Sequence, residues 1–138
     1  MSIWFKPYTL ADLPIRGGMP KHLGMEFTEI GPDFLTLRMP VDDRTHQPDG
    51  ILHGGASVAL AETVGSFAAT LVIDLSKYRC VGQEINANHI RAVTSGFVSG
   101  TARPYHIGRR SQVWEIRIVD ERDKLVCISR LTMAIIDK

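Results

Sequence analysis

Apolar side chains occupy alternate positions at Leu35, Leu37, Met39 and Val41, with Thr36 and Arg38 between them. A period of two sends one set of side chains into a core and the other toward solvent, so this stretch is predicted to be a half-buried strand. The same period returns from Gln112 to Val119, where Trp114, Ile116 and Ile118 should face in and Glu115 and Arg117 out. Stretches at about Arg79 to His89, Phe97 to Arg103 and Leu125 to Ile136 are also predicted strands, and "DERDK" (Asp120 to Lys124) makes a polar turn before the last one. Between the first strand and these four the pattern changes. From Ala56 to about Ile73 the chain is too long for one strand and apolar on every side, which predicts a helix buried all round. Ahead of it, "DDRTHQPDGILHGG" (Asp42 to Gly55) sets Pro48, Gly50, Gly54 and Gly55 among polar residues and reads as a long loop running into the helix. Long ordered loops of this kind are often functional. "TLAD" (Thr9 to Asp12) has the spacing of a capping box with Asp in place of Glu, so a short N-terminal helix is expected, ended by Pro14 and Gly17-Gly18.

One helix between a first strand or hairpin and four later strands implies an α+β arrangement: an antiparallel sheet, its consecutive strands joined as hairpins, wrapped around one long central helix. No repeat, low-complexity tract or linker interrupts the chain, and its 138 residues are expected to form a single domain, 1–138. One helix covers only one face of such a sheet. The other face, or an edge strand, should then pair with a second subunit.

Composition narrows the classes of partner. Sixteen Lys plus Arg against 15 Asp plus Glu leave a formal charge of +1, too weak a field to imply nucleic acid or an anionic membrane. Between His53 and Asp74 lie 20 residues whose only charge is Glu62, roughly the length of a bilayer span. They include three Gly, two Ser and two Thr, so the stretch suits the core helix of a soluble protein better than a membrane. Cys80 and Cys127 are far apart, each in an apolar segment, and read as buried reduced thiols. "MSIWFKPYTLADLP" has no uninterrupted apolar stretch and does not read as a secretory signal, so the expected location is the cytoplasm.

"HGGASVALAETVGS" (His53 to Ser66) holds the candidate chemistry. A helix start offers unpaired N–H groups and a partial positive charge, and Gly54 and Gly55 let a ligand approach that backbone closely. Glu62 has Val58, Ala59, Gly65 and Ser66 as its neighbours at three and four residues, so it has no charged face to join. Ser66 lies one turn beyond it on the same face, where a hydroxyl can hold water or the carboxylate, or simply pack as a small residue. Gln47 can donate to a carbonyl or a carboxylate, and His53 can cap the helix or orient a ligand. His46, His53 and Glu62 do not match common zinc spacing, and no metal is expected.

Five segments resemble a known family: "MPVDDRTHQP", "HGGASVALAE", "VGQEINANHIR", "HIGRRSQVWEI" and "SRLTMAI" are similar to the hotdog-fold acyl-CoA thioesterases, over about Trp4 to Ile136. The likeness is to the branch that includes 1,4-dihydroxy-2-naphthoyl-CoA hydrolase and the enterobactin-pathway proofreading thioesterase. Its weight comes from a Glu nine residues after the His of HGG, a Gln six before it, and INANH downstream. The resemblance implies a thioester hydrolase acting on aromatic or medium-chain acyl-CoA, 1,4-dihydroxy-2-naphthoyl-CoA among the candidates, or on an acyl or aryl carrier protein. It implies Gly54 N–H as oxyanion donor, Glu62 as nucleophile or general base, His53 and Gln47 orienting the thioester, and Ser66 assisting. Coenzyme A is then part of the substrate, and no cofactor is implied.

By the same resemblance the coenzyme is contacted by Gly82, by His89, Ile90, Arg91 and Ala92, and by His106, Ile107, Gly108, Arg109, Arg110 and Ser111. Arg109 and Arg110 are equally readable as solvated turn residues. Part of each site is implied to come from a second subunit, in a homodimer or a homotetramer built from dimers. The relatives carry an aromatic residue in the stretch here written "QPDG", where this chain has Asp49; Asp49 and Phe67 are therefore expected to shape the acyl pocket. A hotdog dehydratase or hydratase is a second reading, disfavoured because no "HFPG"-like stretch is present. A non-catalytic acyl-CoA-binding module is a third, disfavoured because Glu62 is retained.

Overall fold

A computed structural model describes residues 1–138. Six strands form one antiparallel sheet: β1 (Glu26–Ile30), β2 (Leu35–Pro40), β3 (Tyr78–His89), β4 (Phe97–Ile107), β5 (Ser111–Val119) and β6 (Leu125–Asp137), in the order β1-β2-β4-β5-β6-β3. A 19-residue helix, α2 (Gly54–Val72), packs on its inner face. A 3-10 turn at Leu10–Asp12 and the short helix α1 (Gly18–His22) precede the sheet. The alternation in β5 falls as its sequence dictates: Trp114, Ile116 and Ile118 are fully buried, while Arg117 is exposed. This is the expected α+β architecture, with a helix wrapped by an antiparallel sheet.

The helix sits close to the sheet because of one glycine. A Cβ at Gly65 would lie 2.6 Å from Leu131 Cδ2 and 3.3 Å from Ile116 Cδ1, so only glycine lets α2 seat this deeply. Trp114 stacks on Trp4 at 6.4 Å, tying the N-terminal segment to the sheet. Its indole N–H donates to Gln112 Oε1 at 2.8 Å, and the Gln112 amide donates in turn to the Ala69 carbonyl. A fully buried glutamine is thereby satisfied between the sheet and the helix backbone, as burial of a polar group requires.

Four expectations need correction. First, α2 is not buried all round: its buried residues include Leu60, Ala61, Val64, Ala68 and Leu71, whereas Ala59, Glu62, Thr63, Ser66 and Thr70 are half-buried. A sheet on one side can cover only one side, and the small residues on the other had disguised it as apolar. The helix is long and apolar enough to cross a membrane, but it is the core helix of this sheet. Second, β3 does not form a hairpin with β4. It crosses to the far edge and pairs with β6, from Tyr78 opposite Asp137 to His89 opposite Cys127. Its other edge carries no strand. Third, Gly17 and Gly18 end no N-terminal helix; the capped turn closes at Asp12, and Gly18 begins α1. β4 also runs on to Ile107 rather than Arg103, because a bulge between Pro104 and His106 absorbs the proline that cannot donate to the ladder.

Candidate active site

His53 is the N-cap of α2. Its ring Nδ1 accepts the Gly55 N–H at 2.8 Å, and its carbonyl accepts from Ala56 at 3.0 Å and Ser57 at 3.2 Å. Of the first four helical N–H groups, that leaves Gly54's without a protein partner. Gly54 lines a cleft of about 340 Å³ with Gln47, Ser57, His89, Ile90 and Arg91. The His89 ring lies against this glycine: a Cβ at Gly54 would stand 2.9 Å from His89 Nε2. A free donor with the helix dipole behind it thus opens into a cleft with an imidazole at its side, where a negatively charged oxygen would be stabilised.

Gln47 is held by its own loop. Its N–H donates to the Ile51 carbonyl, its carbonyl accepts from Gly50, and its side-chain Oε1 accepts the Asp49 N–H. The side-chain amide N–H groups remain for the cleft. The same loop is anchored by buried Thr45, whose hydroxyl donates to the Pro40 carbonyl and whose carbonyl accepts the His53 N–H. His46 Nε2 lies 2.9 Å from the Thr94 carbonyl, pointing to loop bracing.

Glu62 lies further along α2. A Cβ at Gly82 would meet Glu62 Oε2 at 2.5 Å, so the glycine on β3 makes the room this carboxylate occupies. Met133, Gly82's partner in the sheet, borders the same point at 3.9 Å and accepts a weak hydrogen bond from Ser66 Oγ at 3.8 Å. Ser66 and Glu62 therefore share a face and a neighbour. No pattern in the sequence singled out Met133; its alternation says only that it points inward.

The sheet register divides the candidate residues into two groups. Gly82 stands level with Met133, Gln112 and Ile107, whereas His89 stands level with Cys127 and Ile118. Seven residues of strand separate Gly82 from His89, about 23 Å at a rise near 3.3 Å. On α2, eight residues separate Gly54 from Glu62, about 12 Å at 1.5 Å per residue. Gln47, His53, Gly54 and His89 to Ala92 thus gather at one end, and Glu62, Ser66 and Gly82 at the other, on the sheet level of the His106 to Ser111 turn. Within one chain they do not converge.

That turn is closed by a Gly108 N–H to Ser111 carbonyl bond of 2.9 Å, and its His106, Ile107, Arg109 and Arg110 are exposed. Arg110 pairs with Asp137 at 3.1 Å, while Arg109 has no such partner. The two expected acyl-pocket residues separate. Asp49 is exposed and does not line the cleft beside Gly54. Phe67 packs edge-on against Phe27 at 4.9 Å, on the flank of α2 away from Glu62, and borders a second cavity. Both cysteines are free, and burial pushes the Cys80 thiol up to about 11 and the Cys127 thiol up as well.

Comparison with known proteins identifies the family. Residues 49–127 match the Thioesterase superfamily model. The chain is 51% identical to the proofreading thioesterase EntH of Cronobacter turicensis, over 96% of this chain and 98% of that one. It is 49% identical to the 1,4-dihydroxy-2-naphthoyl-CoA hydrolase of Escherichia coli K12, over 97% and 99%. The crystal structure of a mutant of thioesterase PA1618 from Pseudomonas aeruginosa superposes with a TM-score of 0.97 at 46% identity, covering 99% of this chain and 100% of that one. The capped helix, its wrapping sheet and these matches together make the chain a member of the thioesterase superfamily, a thioester hydrolase of the hotdog fold.

Proposed function

We propose that the chain hydrolyses acyl-CoA thioesters with aromatic or medium-sized acyl groups, at sites that two subunits share. The observation that carries this reading is the separation along α2. Gly54 N–H is free and opens into a cleft, yet it sits about 12 Å from Glu62 on the same helix. One carbonyl cannot be held by the first and attacked through the second unless they belong to different chains.

The unpaired edge of β3 supplies a way to bring them together. Two copies pairing antiparallel about the centre of β3, between Ile85 and Asn86, set Gly82 of one chain opposite the partner subunit's His89. The Glu62 end of one chain then faces the Gly54 end of the other, twice over, as two-fold symmetry demands. In each site Gly54 N–H, with Gln47 beside it, holds the thioester oxygen as it gains charge. Glu62 attacks the carbonyl or takes a proton from water, and the CoA thiolate leaves. His53 fixes the helix start, and Ser66 holds the attacking water or the carboxylate. His89 to Ala92 and the His106 to Ser111 turn offer the coenzyme imidazole, guanidinium and amide donors, with Arg109 uncommitted. The free thiols suit the cytoplasm.

Thiol release from benzoyl-, hydroxynaphthoyl- and medium-chain acyl-CoA tests the reading. Turnover by the wild type that Glu62→Ala lowers by at least a hundredfold, about 2.7 kcal/mol of barrier, is expected. Loss within tenfold contradicts the assignment. A carrier-protein thioester in the same panel separates CoA from carrier specificity, and the likeness to EntH, a proofreading thioesterase, is the reason to include it.

A further inference from the structure

His46 immediately precedes Gln47 and is half-buried. Its ring Nε2 lies 2.9 Å from the Thr94 carbonyl, and because a carbonyl only accepts, the ring donates Nε2–H. The foot of this strut is fixed: Val93 is buried in the core, and the Gly96 carbonyl accepts the Val41 N–H at 2.8 Å. The other leg of the same loop is clipped to the same segment. Leu52 N–H donates to the Val93 carbonyl at 2.8 Å, and Leu52 pairs with His46 as an antiparallel bridge. Between the two legs runs the turn from Gln47 to Ile51, at the rim of the Gly54 cleft. Pro48, Asp49 and Gly50 are exposed, so hydrogen bonds at its base hold this turn rather than packing. Gln47 Oε1 accepts the Asp49 N–H, which ties the side chain to the turn; its amide N–H groups point where the turn points.

We propose that His46 is a positioning residue for the reaction, and that its bond to Thr94 sets the direction in which Gln47 presents its amide N–H groups to the thioester oxygen. The inference rests on the functional reading above, in which Gln47 stands beside Gly54 N–H. The ring spends its donor on Thr94 and acts through its neighbour. Without it, the leg that carries Gln47 is tied to the Val93-Thr94 segment only through Leu52, on the opposite side of the turn. Hydrogen bonds weaken steeply once the donor angle falls below about 120°. A displacement near 1 Å, from a change outside the chemistry, can cost about 10² in rate.

A double-mutant cycle tests this, by thiol release from the most rapidly cleaved acyl-CoA of the panel above, with His46→Leu, Gln47→Ala and the two together. His46→Leu is expected to lower kcat at least tenfold with KM within about twofold of wild type, the mark of an interaction lost in the transition state alone. With Gln47 already alanine, the same change should cost less than twofold, because nothing remains for the ring to position. His46→Gln, whose amide can still donate to Thr94, should recover kcat to within about threefold of wild type. If His46→Leu shows no cooperative urea transition, His46→Asn, polar but too short to reach Thr94, takes its place in the cycle. Equal losses in the two backgrounds overturn the inference, since the ring then serves something other than Gln47. A rise in KM with kcat unchanged also overturns it, by placing the effect on the segment that meets the coenzyme. Wild-type kcat in Gln47→Ala overturns the role of Gln47 and this inference together, whereas a large loss there beside an unchanged His46→Leu overturns this inference alone.

Discussion

Replacing Gly54 by proline removes the N–H donor of the proposed oxyanion site and sets a ring methylene in its place. Gly54 is the first residue of α2, a position where proline is favoured because its N–H is not needed by the helix. The preceding His53 has φ −68 and ψ 131, the extended conformation that a residue before proline prefers. No protein acceptor is lost, since Gly54 N–H has none. A Cβ at this position would stand 2.9 Å from His89 Nε2, the far end of an exposed side chain that can turn away. Gly54→Ala introduces the same Cβ and keeps the N–H, so the ratio of the two variants reads the loss of the donor together with the ring methylene that replaces it. One such donor contributes about 2.7 to 4 kcal/mol to the transition state, or roughly 10² to 10³ in kcat. Steady-state thiol release should therefore place Gly54→Pro at least a hundredfold below Gly54→Ala, with both variants melting within a few degrees of wild type. Equal kcat values for the two, with both folded, would refute the role given to this N–H.

Other residues give further tests. Gly82→Ala puts a methyl group 2.5 Å from Glu62 Oε2 and must push the carboxylate aside, so kcat should fall at least tenfold while urea unfolding stays within about 1 kcal/mol of wild type. Gly65→Ala drives a methyl group to 2.6 Å from Leu131 in the core; overpacking of this kind costs about 1 to 3 kcal/mol, which the urea midpoint should register. Burial raises the Cys80 thiol from 9.0 to about 11, which lowers its thiolate fraction at pH 8. Iodoacetamide should then label Cys80 about a hundredfold more slowly in the native protein than in urea, and the rate should climb with pH beyond 9.

Much of this architecture is legible in the chain itself, for reasons that also explain the failures. α2 announces itself as an apolar run too long for a strand, but it starts two residues before the expected Ala56, because the His53 cap overrides the poor helix propensity of Gly54 and Gly55. Its open side was hidden because Ala59, Thr63 and Ser66 are small and weakly polar, so both sides of the helix look alike. Strand pairing is a different matter. Periodicity says which residues point inward and nothing about neighbours, so the passage of β3 to the far edge, and with it the position of Gly82 against Glu62, had no local signal. Gly54, Glu62 and Gln47 stood out by type and spacing. That Glu62 and Gly54 cannot serve one carbonyl within one chain follows from the helix rise and is legible in the eight residues between His53 and Glu62. Met133 is an ordinary apolar residue in an ordinary pattern, and only the folded chain brings it to the helix.

Mixing two inactive chains tests the shared site most directly. Gly54→Pro keeps Glu62, and Glu62→Ala keeps Gly54, so a dimer formed from one of each holds one intact site and one doubly damaged site. Denaturing the two together in equal amounts and refolding them should make about half of the dimers mixed, and thiol release should recover to about a quarter of the wild-type rate. Each variant refolded alone should stay near background. Recovery to that level establishes that Gly54 and Glu62 act on one thioester from opposite subunits; a mixture no more active than the mean of its two parents contradicts it.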